Sequence, residues 1–374
     1  MLSYVLAFAG FAVLVILHEA GHFVVAKAVG MRVERFALFF PPMIFTWRPA
    51  NSETEYGIGC LPLGGYVRIT GMSTREKIAP ELVERAYYRQ AVWKRIVVIA
   101  AGPAVNLVLA FMILWVLFAA HGVTASVPAV GSVTAGSPAA AVLRHGDRIL
   151  TVDGRLAYSA GLSADESERR VSRMQKTVAS HTCSATPTAN CRAASPVQLS
   201  IVRDGERRTV AITPRYDAQL RRTVIGLSFD SAQFPLGVVA AASRSATTMW
   251  TITTTTATGI VRLFYDSRAR HDVSGIVGSY EVVRQSFEFN VVQAIQLLAV
   301  ISLSLAIVNL FPVLPLDGGH IFWALVEKLR GRPVHLRITD VASVVGLLLV
   351  GFLFVVGLHA DIGRMTSGAG FGVR

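Results

Sequence analysis

LHEAGHFVVAK, residues 17–27, ends an apolar run that begins at Met1 and holds no acidic or basic side chain before His18. A run of this length can cross a bilayer, because the hydrocarbon core requires ~20 apolar residues in a helix. Ionisable side chains inside a membrane span are costly and are usually functional. His18, Glu19 and His22 are therefore the first candidate site residues.

The composition indicates a membrane protein with several spans. Of 374 residues, 52% are apolar and only 16% are charged, and the mean hydropathy is +0.50. A net charge of +12 can indicate that a protein binds nucleic acid or anionic lipid, or that its basic residues set its orientation in the membrane. Topology accounts for much of it here, so we expect membrane lipid and no nucleic acid as a partner.

Four segments are long and apolar enough to span a bilayer, namely residues 2–29, 96–120, 291–316 and 341–358. Buried helices of a soluble protein are the alternative, which is weak for uninterrupted runs of this length. The first segment has neither a basic region before it nor a small-residue cleavage site. We therefore expect it to remain a span rather than to be removed as a signal peptide.

Basic residues are concentrated in two connections between the predicted spans. The connection between spans three and four contains Lys328, Arg330, Arg332 and Arg337, and the connection between spans one and two contains Arg32, Arg35, Arg48, Arg68, Arg75, Lys77, Arg85, Arg89, Lys94 and Arg95. Because cytoplasmic loops carry an excess of Lys and Arg, both connections should face the cytoplasm. Both termini and the long middle segment are then outside.

A fifth apolar stretch, residues 236–265, is rich in threonine and broken by Arg244 and Arg262. A span here would reverse the third span and carry Asp317 away from the cytoplasmic side, where the chemistry described below requires it. We therefore predict an amphipathic helix on the membrane surface, and a fifth span is the alternative.

Residues 127–230 lack long apolar runs and are rich in turn signals, which predicts a small β-rich domain outside the membrane. VQLSIVRDGERRTVAIT, residues 197–213, alternates in polarity on both sides of Asp204-Gly205 and indicates a β-hairpin. An external location favours a disulfide between Cys183 and Cys191, and two free thiols are the alternative. Cys60 lies in the cytoplasmic connection and should be reduced.

HExxH is the zincin signature. Residues four apart share one face of a helix, so His18 and His22 can bind one metal ion while Glu19 reaches a water beside it. Zinc lowers the pKa of such a water towards neutrality, and the carboxylate can take its proton as the hydroxide attacks a peptide carbonyl. Without such a function, two imidazoles and a carboxylate inside a span would only destabilise its insertion in the membrane.

Catalytic zinc requires a third protein ligand and an open position, and no further histidine follows on the first span. Asp317, in NLFPVLPLDGGH (residues 309–320), is the carboxylate that closely follows an apolar run, and it should reach the same cytoplasmic half as the two histidines. Pro312 and Pro315 must interrupt the helix before it. His320 is the alternative ligand. It could otherwise contact a ligand without binding the metal itself.

HEAGH in the first span, followed by NLFPVLPLDGG in a late span, resembles the site-2 protease family of intramembrane zinc metalloproteases. The external domain makes the chain similar to the bacterial regulator-of-sigma-E branch of that family, and the resemblance covers almost the whole chain. It implies that Zn²⁺ is the cofactor, that His18, His22 and Asp317 are its ligands, and that Glu19 is the general base.

YGIGCLPLGGYVRITG, residues 56–71, resembles the family's membrane-associated β-loop, which is thought to hold the substrate by adding it as a strand. Its apolar, glycine-rich and extended character agrees with that role, because cleavage requires an unwound backbone. Gly64, Gly65 and Tyr66 are therefore candidate substrate-binding residues. An ordinary interfacial hairpin is the alternative.

AGPAVN, residues 101–106, resembles the GPxxN element that opens the second span in this family. Asn106 and Asn309 are candidate polar contacts to an unwound substrate. The alternative is that either residue bridges neighbouring helices as a packing polar group.

VGSVTAGSPAAAVLRHGDRILTVDG, residues 130–154, resembles a PDZ domain of the protease-associated type. The resemblance implies capture of peptides by strand addition, in a domain that helps to admit substrates already trimmed outside. The chain departs from the best-known member in having one such domain rather than a tandem pair. It also has a longer connection, residues 158–196, which we expect to be a loop.

The predicted fold is an α-helical multi-span membrane protein of about four transmembrane helices, with a membrane-associated β-loop and an inserted extracytoplasmic PDZ-like, β-rich domain. Its segments are the first span with HExxH (1–29), the cytoplasmic connection with the β-loop (30–95), the second span (96–120), the PDZ-like domain (127–230), a surface helical linker (231–290), the third span with NxxPxxxxDG (291–320), the fourth span (341–358) and a tail (359–374).

The predicted function is that of an intramembrane zinc endopeptidase in the bacterial cytoplasmic membrane, which cuts single-span membrane proteins within or near their transmembrane segment. The resemblance suggests anti-sigma factors or remnant signal peptides as substrates. The competing class is a membrane transporter or metal-binding scaffold that does not hydrolyse peptides. Glu19 argues against that class, because a mere metal site has no need of a carboxylate between its two histidines.

Overall fold

The computed structural model of the chain describes residues 1–72, 76–184, 188, 191–263, 265, 266 and 275–366. Arg75 and the last residues of the predicted tail, 367–374, lie outside these ranges. The chain forms two compact units. Unit 1 consists of Met1–Leu117 and Ala242–Arg374, and unit 2 consists of Phe118–Ala241.

Helices dominate unit 1. The described α-helices of the whole chain are α1 Leu2–Ala28, α2 Val92–His121, α3 Ala164–Ser180, α4 Val238–Arg262, α5 Ile276–Phe289, α6 Val291–Asn309, α7 Asp317–Arg330 and α8 Leu336–Thr366. Four of them, α1, α2, α6 and α8, are long and apolar enough to cross a membrane. The predicted number of spans is therefore confirmed on length and composition.

The threonine-rich stretch forms α4, which is not among the described helices that meet the criteria for a span. Several of its threonine hydroxyls donate to carbonyl oxygens one turn back, as Thr251 does to Thr247 at 3.0 Å and Thr258 to Thr254 at 2.8 Å. This pattern satisfies the hydroxyl groups within the helix. It leaves α4 helical but less apolar than the four span helices.

The third span breaks where the prolines predict. α6 ends at Asn309, and α7 begins at Asp317, so the helical part of the predicted span 291–320 is shorter than expected. Gly318 packs against the carbonyl of Leu310, and a Cβ at Gly319 would lie 2.5 Å from the Leu314 nitrogen. The first turn of α7 therefore fits closely against the irregular segment that precedes it.

A long antiparallel pair of strands follows α1. β1 is Val33–Trp47 and β2 is Glu55–Ile69, and the two pair in shifted registers. The extended character predicted for residues 56–71 is confirmed in β2. Its partner β1 was not predicted, and it turns at Phe39, which has a φ of 71°. Large apolar side chains after this turn are exposed, with Ile44 at 73% and Phe45 at 60%.

Unit 2 is built on an antiparallel sheet with the strand order β10-β3-β4-β6-β7, and β5 pairs with β4. The strands are β3 Val123–Val133, β4 Arg148–Val152, β5 Arg155–Leu156, β6 Val197–Arg203, β7 Glu206–Ile212 and β10 Leu227–Phe234, while β8 Arg215–Asp217 and β9 Arg222–Val224 form a separate pair. The core includes Ile149 and Ile201 from the sheet and Met174 and Val178 from α3. These side chains make the sheet and α3 one folded body.

The predicted hairpin is confirmed, because β6 and β7 pair and Arg203 lies opposite Glu206. Asp204 and Gly205 have φ values of 53° and 84°, as a two-residue hairpin turn with both central residues at positive φ requires. Local alternation of polarity together with Asp-Gly was thus sufficient to predict this element.

The expectation of a loop over residues 158–196 is wrong for its middle part. α3 occupies Ala164–Ser180, and the Ser163 hydroxyl accepts a hydrogen bond from the Glu166 amide as its N-cap. The sequence contained this signal, since Ser followed three residues later by Glu is a capping box. Cys183 and Cys191 form a disulfide after the helix, which resolves the two alternatives in favour of the bonded pair.

Candidate metal centre

Three predicted ligands meet in unit 1. His18 Nε2 lies 3.3 Å from His22 Nε2, and Asp317 Oδ2 lies 3.2 Å from the first and 3.4 Å from the second. The histidines are one turn apart on α1 and therefore share a face. Both side chains are buried and that of Asp317 is 17% exposed. The three donor atoms form a nearly equilateral triangle.

The triangle has the dimensions that zinc requires. Tetrahedral Zn²⁺ binds nitrogen and oxygen at ~2.0–2.2 Å, so its neighbouring donor atoms are about 3.3–3.6 Å apart. Two imidazoles and one carboxylate also form the ligand set typical of catalytic zinc, which keeps a fourth position open. Within the described ranges, His18, His22 and Asp317 are the only group of His, Cys, Asp or Glu residues that could hold a metal.

The main chain of α2 orients one ligand. His22 Nδ1 lies 2.9 Å from the Val98 carbonyl oxygen, which can only accept a hydrogen bond. The ring therefore carries its proton on Nδ1 and presents the lone pair of Nε2 to the centre of the triangle. Gly102, one turn further along α2, lies so close to His22 Nε2 that a Cβ would overlap it. Two backbone features of α2 thus fix this imidazole.

Asn106 contacts the other histidine. Its Nδ2 lies 3.1 Å from His18 Nδ1, and its buried Oδ1 has no hydrogen-bond partner among the described residues. The two ends of an amide are interchangeable in shape, so a turned amide would let Oδ1 accept a proton from His18 Nδ1. His18 would then bind metal through Nε2. An unpaired acceptor beside Nδ1 fits a histidine that binds metal through Nε2, because such a histidine carries its proton on Nδ1.

Asp317 occupies the first turn of α7. A carboxylate is favoured there because the helix N-terminus carries partial positive charge. His320, the alternative ligand, does not belong to the group of converging donor atoms. The geometry therefore favours Asp317.

Glu19 lies beside the strand predicted to hold substrate. A Cβ at Gly65 of β2 would overlap Glu19 Cγ and lie 2.9 Å from its Cδ. Only a glycine lets the strand pass this close to the carboxylate. The predicted general base and one predicted substrate-binding residue are thus direct neighbours.

Of the remaining candidate substrate-binding residues, Asn309 lies at the centre, whereas, among the described residues, Gly64 and Tyr66 do not contact the candidate ligands. Asn309 is near the centre, with its Nδ2 3.4 Å from His18 Nε2. Gly64, with a φ of 156°, is adjacent to the Phe40 ring, and the Tyr66 ring lies 5.9 Å from the same ring. Gly64 and Tyr66 thus shape the strand, and their described contacts are with β1 rather than with the ligands.

Three features of the centre were not identified from the sequence. They are the Val98 carbonyl, the close approach of Gly102 to His22, and the contact between Gly65 and Glu19. A main-chain carbonyl has no sequence signal at all. Gly102 precedes Pro103 in the AGPAVN motif. The lack of a side chain at Gly102 was the only sequence feature that could indicate a close approach of another group.

Comparison with known proteins identifies the family of the chain. The model of Peptidase family M50 matches residues 6–353. The chain is 31% identical over 372 residues to a candidate zinc metalloprotease of Rhizobium meliloti, with 93% of each chain covered. It is 27% identical over 438 residues to the regulator of sigma E protease of Salmonella typhimurium, with 94% of this chain and 96% of that protein covered. The chain therefore belongs to peptidase family M50.

Proposed function

We propose that the chain is an intramembrane zinc endopeptidase that cleaves single-span membrane proteins within or near their transmembrane segment. The observation that carries the proposal is the triangle of His18, His22 and Asp317, in which both histidines and the neighbouring Glu19 lie on α1, a helix long and apolar enough to cross a membrane. His18, His22 and Asp317 would hold Zn²⁺. Anti-sigma factors and remnant signal peptides are the proposed substrates.

Zinc held there would lower the pKa of a water and polarise the scissile carbonyl. Glu19 would accept the proton of the attacking water and return it to the leaving nitrogen, as a general base and then a general acid. Asn106 and the Val98 carbonyl would keep the two imidazoles in the tautomer that binds through Nε2. Burial of both histidines would keep the ligands rigid.

We propose that the substrate pairs with β2 near Gly64, Gly65 and Tyr66. A peptide bond in a helix is shielded by its own hydrogen bonds, and strand pairing supplies an extended backbone instead. The contact between Gly65 and Glu19 supports this role, because a peptide along that part of β2 would pass near the carboxylate. Asn309 would donate to the backbone of the extended peptide, since its amide nitrogen lies close to the candidate metal centre, 3.4 Å from His18 Nε2.

For unit 2 we propose a PDZ-like peptide-binding domain outside the membrane. Its antiparallel sheet with a packed helix supports this assignment. A cavity of about 620 Å³ is lined by Gln175 and Val178 of α3 and by Ile225, Gly226 and Leu227 before and within β10. A groove between a helix and a strand is the type of site to which a peptide adds as a further strand.

The proposed location is the bacterial cytoplasmic membrane, with both termini and unit 2 outside and the zinc site towards the cytoplasm. Single cysteines at Leu220 in unit 2 and at Glu84 test it, in a chain with Cys60→Ser. Both positions are exposed. A membrane-impermeant maleimide should label Leu220→Cys from outside and Glu84→Cys only after the membrane is opened. The opposite pattern would reverse the proposed topology.

The central test compares the wild-type chain with Glu19→Gln for bound zinc and for cleavage of a model single-span substrate. Zinc should be retained and cleavage should be lost, because the amide keeps the shape of the carboxylate but cannot accept the proton. Glu84→Gln is the matched control, since its side chain is 82% exposed. Undiminished cleavage by Glu19→Gln would refute the proposed role, and full zinc binding by Asp317→Ala would exclude Asp317 as a ligand.

A further inference from the structure

The helix that carries Asp317 needs an external support. α7 is separated from α6 by residues 310–316, which contain two prolines, and its N-cap residue Leu316 provides no side-chain cap. A helix joined to its neighbour by an irregular segment takes its direction from contacts with other elements. The close fit of Gly318 and Gly319 anchors only the first turn of α7.

The far end of α7 is held by an ion pair with α2. Arg95 donates from its two terminal nitrogens to the two oxygens of Glu327, at 3.0 and 2.7 Å. Such a fork fixes direction as well as distance. Glu327 follows Asp317 by ten residues, or about 15 Å of helix. α7 is thus fixed at both ends.

The same face of α2 carries the groups that orient the histidines. Arg95, Val98, Gly102 and Asn106 follow one another at spacings of three, four and four residues, which puts them on one side of the helix. Val98 and Gly102 fix His22, and Asn106 reaches His18. Through Arg95, α2 therefore contacts α7 as well as the two histidines.

A third element meets this ion pair. The buried Tyr87 ring lies 5.9 Å from the Arg95 guanidinium, and the Tyr87 amide donates to the Thr70 carbonyl directly after β2. The strand that passes Glu19 is thereby connected to the same point. Within the described part of the chain, Arg95 Nε has no hydrogen-bond partner although it is buried.

We infer that Arg95 and Glu327 are positioning residues of the metal centre, which orient α7 so that Asp317 reaches His18 and His22. A partly buried ion pair such as this one, with Arg95 9% and Glu327 25% exposed, contributes little net stability, because desolvation of the charges offsets much of their attraction. Its geometric precision is a better reason for its presence here. The inference rests on the proposed zinc site.

The test measures zinc affinity of the full-length chain in detergent, by competition with a chelating dye, well below the unfolding temperature of each variant. Glu327→Gln should weaken zinc binding about tenfold, as loss of a group that supports a ligand does. The charge exchange Arg95→Glu with Glu327→Arg should restore most of the affinity. Glu84→Gln, which alters an exposed pair with Arg89, is the control and should bind zinc as the wild type does.

If Glu327→Gln does not fold, Glu327→Asp gives the same test, because it keeps the charge and shortens its reach by one methylene. Zinc affinity should then fall several-fold. Wild-type affinity in a folded Glu327 variant would overturn the inference and leave the zinc site intact. A wild-type chain that does not bind zinc at all would instead overturn the proposed function, and this inference with it.

Discussion

His22 Nδ1 lies 2.9 Å from the carbonyl oxygen of Val98. This contact fixes the ring tautomer, so Nε2 is left to face Asp317. A carbonyl in the middle of a helix cannot be changed by substitution at Val98, and it moves only if α2 moves. The orientation of this candidate ligand is therefore a property of the α2 backbone.

Gly102→Ala should displace His22, because the new Cβ would overlap its Nε2. Zinc affinity should fall at least tenfold. Gly351→Ala on α8 is the matched control, since a Cβ at that position meets no atom within 4 Å. Competition with a chelating dye measures both. Equal affinity in the two variants would contradict the close approach of Gly102 to His22.

Asn106 should support zinc binding through its side-chain oxygen. Asn106→Leu removes the acceptor for His18 Nδ1 and should weaken zinc binding by about 10–100-fold. Asn106→Asp keeps an acceptor and should retain most of the affinity. A loss of the same size in both variants would show that His18 needs the amide nitrogen instead.

Gly65→Ala should impair cleavage more than metal binding. Its Cβ would overlap Glu19 Cγ, so either the carboxylate or β2 must shift, while the three ligands are untouched. We expect kcat to fall at least tenfold with zinc content unchanged. Gly259→Ala on α4, where a Cβ meets no neighbour, serves as the control. Loss of zinc from Gly65→Ala would mean that the strand also supports the ligands.

Asp147 should make the stability of unit 2 depend on pH. Its side chain is 1% exposed and accepts hydrogen bonds from Arg203, at 2.8 and 2.6 Å, and from the Arg144 amide. Burial alone would raise the pKa of Asp147, but these interactions outweigh it and lower the pKa below its ordinary value of 3.8. The stabilisation is therefore present above the unfolded-state pKa and is lost as the pH falls through the folded-state pKa.

Asp147→Asn should destabilise unit 2 by about 3 kcal/mol near neutral pH, because it leaves Arg203 without its buried partner. The difference from the wild type should shrink below about pH 4. Hydrogen exchange of β4 and β6 in the full-length chain measures it. Glu206→Gln, in the exposed pair with Arg208, should change stability by less than ~1 kcal/mol. A difference that does not vary with pH would rule out the carboxylate as its cause.

The convergence of the three candidate ligands was predictable because their signals are local or topological. Helical spacing pairs His18 with His22, and the predicted direction of the spans places Asp317 on the same side as the two histidines. The break between α6 and α7 followed from two prolines. Each of these inferences uses only spacing, proline chemistry or charge bias.

The supporting contacts were not predictable because they are non-local. In the sequence Arg95 is one of many basic residues that indicate topology, and nothing pairs it with Glu327, 232 positions away. The overlap of Gly102 with His22 likewise depends on how two helices cross. α3 is a different case, since the capping box formed by Ser163 and Glu166 is a local sequence signal for the start of this helix.

The centre also has an order of assembly in time. Asn309, which comes shortly before Asp317, contacts His18 across 291 positions of sequence. At ~5–20 residues per second, a ribosome needs about 15–60 s to make that stretch. Throughout this interval the nascent chain holds two imidazoles and Glu19 but lacks the aspartate that completes the triangle. If Asp317 is the third ligand, as proposed, a chain synthesised only as far as Asn309 has no proteolytic activity.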